Sequence, residues 1–224
     1  MRAFGATLYT KVQEGGWVMY VLLLVSIGAT AVIIYKYIVF KKVKIDTTEL
    51  VGQVRTHVLQ GNHRGAVESC EGFQGPIAAI LKAGLLKYES TKSKEEIEKT
   101  IENSALHEVA ILEKGLVILS SIATIAPLIG FLGTVVGMIQ SFDVIAEQGL
   151  NNPGAVAKGI SVALLTTAFG LIVAIPTQSF YNFFTTNIST FIREMETSSN
   201  ILIETFQESE RFAQRPAVTS GSAG

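Results

Sequence analysis

The sequence predicts an all-α integral membrane protein: three transmembrane helices with long cytoplasmic helical extensions, assembling side by side into a ring. Two observations carry the membrane assignment. Trp17–Phe40 contains only Lys36 as a charged residue, while Gly115–Phe142 and Gly159–Ile192 contain no Asp, Glu, Lys, Arg or His. A bilayer core of roughly 30 Å needs about 20 helical residues to cross it, and all three stretches meet that length. The mean hydropathy of +0.39 agrees. A third observation, apolar residues recurring at helical spacing between the first two stretches, makes the rest of the chain helical as well.

Residues 1–16 form an outer segment. Phe4, Leu8 and Val12 stand at i, i+4, i+8, the spacing of a short helix on the membrane surface, with a frayed terminus as the alternative. The first span, 17–40, is too long for the apolar run of a secretory signal peptide. It ends in Tyr35-Lys36-Tyr37 and then Lys41, Lys42 and Lys44, an aromatic and basic flank that retains a helix in the bilayer. Basic residues near span ends favour the cytoplasm. This flank therefore places the N-terminus outside and the segment 41–114 inside. The connection 143–158, with Lys158 against Asp143 and Glu147, is placed in the periplasm, and the C-terminus in the cytoplasm.

The cytoplasmic domain 41–114 reads as a series of helices. Leu50, Val54 and Val58 pattern a first one, stopped by Gly61-Asn62; Ala66–Cys70 makes a short second; Gly75-Pro76 opens a third. Ser93 and Glu96 have capping-box spacing, and Ile97, Ile101, Ala105, Val109, Leu112 and Leu116 follow at helical intervals. With no breaker in that pattern, one helix is expected from about Lys94 to about Phe142, on the order of 70 Å long. Such a helix needs neighbours, hence the bundle of subunits. The third span, 159–183, continues into a cytoplasmic extension, 184–211, and a tail, 212–224, of disordered composition. Cys70 is the only cysteine, so no internal disulfide forms. Net charge is −1, with no basic stripe for nucleic acid.

Within lipid, Gly, Ala, Ser and Thr allow helix backbones to approach closely. Ala126, Gly130, Gly133, Gly137 and Ser141 follow one narrow stripe; Gly159, Ala163, Thr167, Gly170 and Ala174 follow another. Packing alone accounts for most such residues. Two stripes in one chain also allow a sharper reading, a narrow apolar lumen carrying the hydroxyls of Thr134, Ser161, Thr166 and Thr167. Pro127 and Pro176 free the carbonyls of Ala123 and Ile172. The string GFLGTVVG lacks the spacing and the strand–turn–helix setting of a nucleotide loop. His57, His63 and His107 lack metal-ligand spacing, and no nucleophile–base arrangement stands out, so neither an enzyme nor a cofactor is expected. Proton relays through membranes use ionisable side chains. The second and third spans have none, so if the protein moves protons a partner must supply the titrating group.

The strings APLIGFLGTVVGMIQSF and GISVALLTTAFGLIVAIPTQSFYN together resemble the MotA/TolQ/ExbB proton-channel family, on its ExbB/TolQ side. QGNHRGAVESC followed by GPIAAILKAGL resembles that family's cytoplasmic segment. The resemblance covers most of the chain and implies a homopentamer in the bacterial cell inner membrane. The ring encloses a dimer of an ExbD/TolR-like single-span partner with a transmembrane Asp, and work reaches the outer membrane through a TonB/TolA-like protein. It implies that the glycines pack second-span helices in a ring, with Thr134 facing the pore beside the partner's Asp and Thr167 as the third-span threonine. Where relatives commonly carry a third-span Glu, this chain has Val162. That departure leaves proton and sodium drive both open, with Ser161, Thr166 and Thr167 as oxygen donors in either case. A non-conducting scaffold and a small-solute carrier are the other classes of reading; three unlike spans argue against a carrier, which often shows internal repeats.

Overall fold

The computed structural model describes residues 15–43, 47–91 and 93–214; the expectations for residues 1–14 and 215–224 lie outside them. Every element among the described residues is helical. The order is α1 (Gly16–Val43), α2 (Thr47–Leu59), α3 (His63–Glu71), α4 (Pro76–Ser90), α5 (Lys94–Glu113), α6 (Leu116–Gln148), a 3₁₀ turn (Gly149–Asn151) and α7 (Pro153–Gln214). Three apolar helical stretches are long enough to cross a bilayer: Gly16–Lys41, and one each within Lys94–Gln148 and Pro153–Phe212. The all-α class and the three spans are as the sequence predicts. The chain divides into two compact units at Tyr37/Ile38, Lys114/Gly115 and Thr185/Thr186. The unit containing 115–185 is called here the membrane unit, and the one containing 38–114 the core unit.

The expected continuous helix from Lys94 to Phe142 does not form. It breaks at Lys114–Gly115, where Gly115 has φ +89°, in the left-handed region that only glycine enters freely. Apolar spacing runs unchanged across the break, so periodicity could not show it; the lone glycine could. The expected connection over 143–158 is also mostly helical. α6 continues to Gln148 and α7 starts at Pro153, proline being suited to a helix's first position.

The core unit has an aliphatic interior. Leu50, Val54 and Val58 of α2, Ile80, Leu81 and Leu85 of α4, Ile97 and Ile101 of α5, and Leu202 and Phe206 of α7 are all buried in one cluster. Tyr88 stacks on Phe206 with ring centroids 4.1 Å apart and planes 2° from parallel, and its hydroxyl donates to Glu210 Oε1 at 3.2 Å. Burial, then the Glu210 charge, pushes the Tyr88 phenol up from its ordinary value. Asn62 caps α3, its side-chain oxygen accepting from the Gly65 amide at 3.0 Å. The capping box predicted at Ser93 is not made: Ser93 has no side-chain cap bond, and the Glu96 carboxylate instead pairs with Lys87 of α4 at 2.8 Å. The buried Cys70 thiol is pushed up to about 11 by burial, with Lys82 opposing and Glu71 adding to the shift. It therefore stays protonated, and a poor nucleophile, at neutral pH.

Candidate functional site

The membrane unit is built on the contact of α6 with α7, with α1 alongside. Val18 and Leu22 of α1 pack with Ala126 of α6 and Ala174 of α7, and Val25, Ile129, Phe169 and Val173 surround them. Lys36, the ionisable residue of the first span, is 1% exposed, and a Cβ on Gly115 would lie 3.6 Å from its Cε.

The two small-residue stripes face each other within the chain. A Cβ on Gly130 would lie 2.9 Å from the Thr166 carbonyl oxygen and 3.1 Å from Thr167 Cα. One on Gly137 would lie 2.7 Å from the Gly159 oxygen and 2.8 Å from the Ala163 nitrogen, and one on Gly170 2.8 Å from the Ala126 oxygen. At Gly133 it would run into the Thr166 side chain. All but the 3.1 Å approach are closer than real Cβ atoms come to a neighbour, which is why the positions carry glycine. The stripes thus meet as an intrachain seam, where the resemblance implied that the glycines pack second-span helices of neighbouring copies.

Hydroxyls fasten this seam at two levels. Ser141, 3% exposed, donates across to the Val156 carbonyl at 3.1 Å and shares its proton with the Gly137 carbonyl at 3.1 Å. Thr167 Oγ1 donates to the Gly130 carbonyl at 3.2 Å. Eleven residues separate Gly130 from Ser141, and eleven separate Val156 from Thr167. That is about three helical turns on each side, so one clamp is made from each helix in matching antiparallel register.

The predicted hydroxyls fall into three environments. Thr166 is fully buried, donates to the Ala163 carbonyl at 2.9 Å and fills the space against Gly133; within one chain it lines no open surface. Thr134 and Thr167 are half-buried at the edge of the seam, and Thr134 Oγ1 donates to the Phe131 carbonyl at 2.6 Å. Ser161 is exposed and Val162 half-buried. Pro127 lies half-buried inside α6 and Pro176 exposed inside α7. Sequence periodicity placed Ser141 in the stripe but did not show its bond to Val156, because a helical pattern does not reveal which carbonyl a neighbouring helix presents.

Fold and seam define a multi-span helical membrane protein whose second and third spans pack backbone to backbone without an acidic or basic side chain. The model of the MotA/TolQ/ExbB proton channel family matches residues 73–197, and the chain belongs to that family. It is 31% identical over 175 residues to the putative biopolymer transport protein ExbB-like 3 of Synechocystis sp., covering 77% of this chain and 82% of that protein. It is 29% identical over 195 residues to a putative biopolymer transport protein ExbB homolog of Methanothermobacter thermautotrophicus, covering 86% of this chain and 68% of that one. To the biopolymer transport protein ExbB of Aquifex aeolicus it is 41% identical over 97 residues, 43% of this chain and 58% of the relative. These relatives lie on the ExbB side of the family, as the two motif strings imply.

Proposed function

We propose that the chain is the pore-forming subunit of an inner-membrane motor driven by the proton motive force, energising outer-membrane transport or envelope work. In this reading five copies surround a dimer of an ExbD/TolR-like single-span partner, and a TonB/TolA-like protein carries the work outward. The N-terminus is periplasmic and the C-terminus cytoplasmic. The observation that carries the reading is the pair of half-buried hydroxyls, Thr134 and Thr167, set in a seam otherwise free of charge. A carboxylate carried in by a partner would be the titrating group there. Membership of a proton channel family and relatives named for biopolymer transport support the same reading.

The missing third-span carboxylate at Val162 favours a second reading, a sodium-driven version of the same machine. Hydroxyl and carbonyl oxygens alone suit a hard cation. Both are tested by reconstituting the complex, purified with its single-span partner, into vesicles. A pH gradient is expected to drive flux at least tenfold above that of vesicles holding this chain alone, and Thr134→Val to reduce it to background without loss of the assembled complex. Flux driven only by a sodium gradient selects the second reading. Background flux under both gradients leaves a non-conducting scaffold.

A further inference from the structure

Away from the seam, the core unit carries an open groove of about 370 Å³ between the start of α2 and the second half of α7. Its size is within the range, roughly 300–1,000 Å³, of sites that hold small ligands. Thr190, Arg193, Glu194, Thr197 and Ser198 line it from one face of α7, and Thr47 lines it from α2.

The two charges in the groove are opposite and are not spent on each other. Arg193 Nη2 donates to Thr190 Oγ1 at 3.1 Å, and Glu194 Oε2 accepts from Thr47 Oγ1 at 3.1 Å. Among the described residues neither side chain has an ion-pair partner. A guanidinium has five N–H donors and an ionised carboxylate about four lone-pair sites, so most of the capacity of both is left for a group from outside the chain. Ser198 adds a third unspent group. It is 2% exposed, lines the groove and makes no hydrogen bond among the described residues, whereas buried hydroxyls ordinarily have a partner. A simple anion here would gain Arg193 and be repelled by Glu194; a simple cation would meet the reverse. A ligand that carries both signs on neighbouring groups gains from both.

The level of the groove along α7 narrows the source. Lys158 and Arg193, the charged residues that bound the uncharged run, stand thirty-five residues apart on this one helix, about 52 Å at 1.5 Å per residue. A bilayer with its headgroups is about 40–45 Å thick, and tilt shortens a helix's projection across it. Arg193 therefore stands at headgroup level, past Phe180, Tyr181 and Phe183, aromatic residues of the kind that gather at the interface.

The geometry points to this groove as a binding site for the phosphoethanolamine headgroup of a membrane lipid, with Arg193 on the phosphate and Glu194 on the ammonium. The site does not depend on which ion drives the protein.

The test is native mass spectrometry of the whole chain, extracted and delipidated in detergent, then offered dioleoyl phosphatidylethanolamine and dioleoyl phosphatidylglycerol in equal amounts. The first is expected to be retained about fivefold over the second, the scale of one exposed charge pair. Arg193→Gln is expected to abolish that excess, and Glu194→Gln to turn the preference toward phosphatidylglycerol by removing the carboxylate that repels a net anion. Arg193 bonds only within its own helix turn, so its substitution leaves the fold in place, checked by unchanged helicity. Equal retention of the two lipids by the unsubstituted chain, or no effect of Arg193→Gln, overturns the inference. So does displacement of the lipid by an equal concentration of glycerophosphoethanolamine, which makes the occupant a soluble zwitterion. Separation of copies by Arg193→Gln with lipid retention unchanged makes the groove a contact between copies and overturns it as well.

Discussion

The core unit and the membrane unit are both helical, and their interiors are built on opposite rules. In the core unit Leu81, Ile80, Val54 and Leu202 bring large side chains together and keep backbones apart. In the membrane unit Gly130, Gly133, Gly137, Gly159 and Gly170 remove side chains so that backbones meet. The solvent explains the difference. Water rewards burial of apolar area at about 25 cal/mol per Å². Lipid is as apolar as leucine and gives no such reward, leaving close contact and interhelical hydrogen bonds to hold helices together. The exposed apolar side chains divide accordingly: Leu128, Phe131, Leu132 and Ile139 of α6 point away from the protein interior, where in water they would be a liability.

The comparison breaks most visibly at Gly137. A leucine there has to place a whole side chain where even a Cβ would lie 2.7 Å from the Gly159 oxygen and 2.8 Å from the Ala163 nitrogen. Helix backbones cannot yield locally, so α6 and α7 would have to separate along their length and both hydroxyl clamps would be lost. Gly137→Leu is expected to leave no monodisperse protein after detergent extraction, with protease cutting within α6 and α7. Recovery of the variant with the unsubstituted elution volume and digestion pattern would mean that the seam is looser in the bilayer than its geometry requires.

How far the sequence went follows the same division. The spans were legible because charge-free runs of this length have few other uses, and the seam residues because small side chains recurred on one face of each helix. The family followed from two strings lying in the seam. What periodicity could not supply was anything set by a single backbone angle or by a partner helix. The break at Gly115 lies in an unbroken apolar pattern and rests on one φ of +89°. The Ser93 cap was lost because Glu96, which a capping box would turn back toward Ser93, met Lys87 on α4. Thr134, Thr166 and Thr167 looked alike as hydroxyls in a span. Only the packed structure separates Thr166, sealed against Gly133, from the two at the edge.

In the core unit the sensitive change is the reverse of the one at Gly137: removal of volume. Leu81 is 1% exposed in the aliphatic cluster, and truncating it leaves a cavity as well as forfeiting transfer free energy. Leu81→Ala is expected to cost about 2–5 kcal/mol, read as a lower denaturant midpoint for the core unit's unfolding transition. A change below about 1 kcal/mol would show that the cluster relaxes to fill the gap, which close-packed interiors seldom do.

The smallest effect belongs to Gly84, among the described residues the one buried glycine of the core unit with a seam-like contact, and it sharpens the contrast most. A Cβ on Gly84 would lie 2.9 Å from Ile101 Cδ1 and 2.9 Å from Leu202 Cδ2. At Gly130 the same distance, 2.9 Å, is to the Thr166 carbonyl oxygen. The numbers match, but the atoms differ in what they can do. Methyl ends of Ile101 and Leu202 move by a small rotation about a side-chain bond, whereas a backbone oxygen inside α7 moves only with its helix. Alanine also favours a helix interior over glycine by about 1 kcal/mol, which offsets the rearrangement. Gly84→Ala is therefore expected to change stability by less than about 1 kcal/mol in either direction, checked by the same denaturant midpoint as Leu81→Ala. A loss several times larger would mean that the tips of Ile101 and Leu202 are as fixed as backbone, and that the core unit shares the seam's intolerance of added atoms.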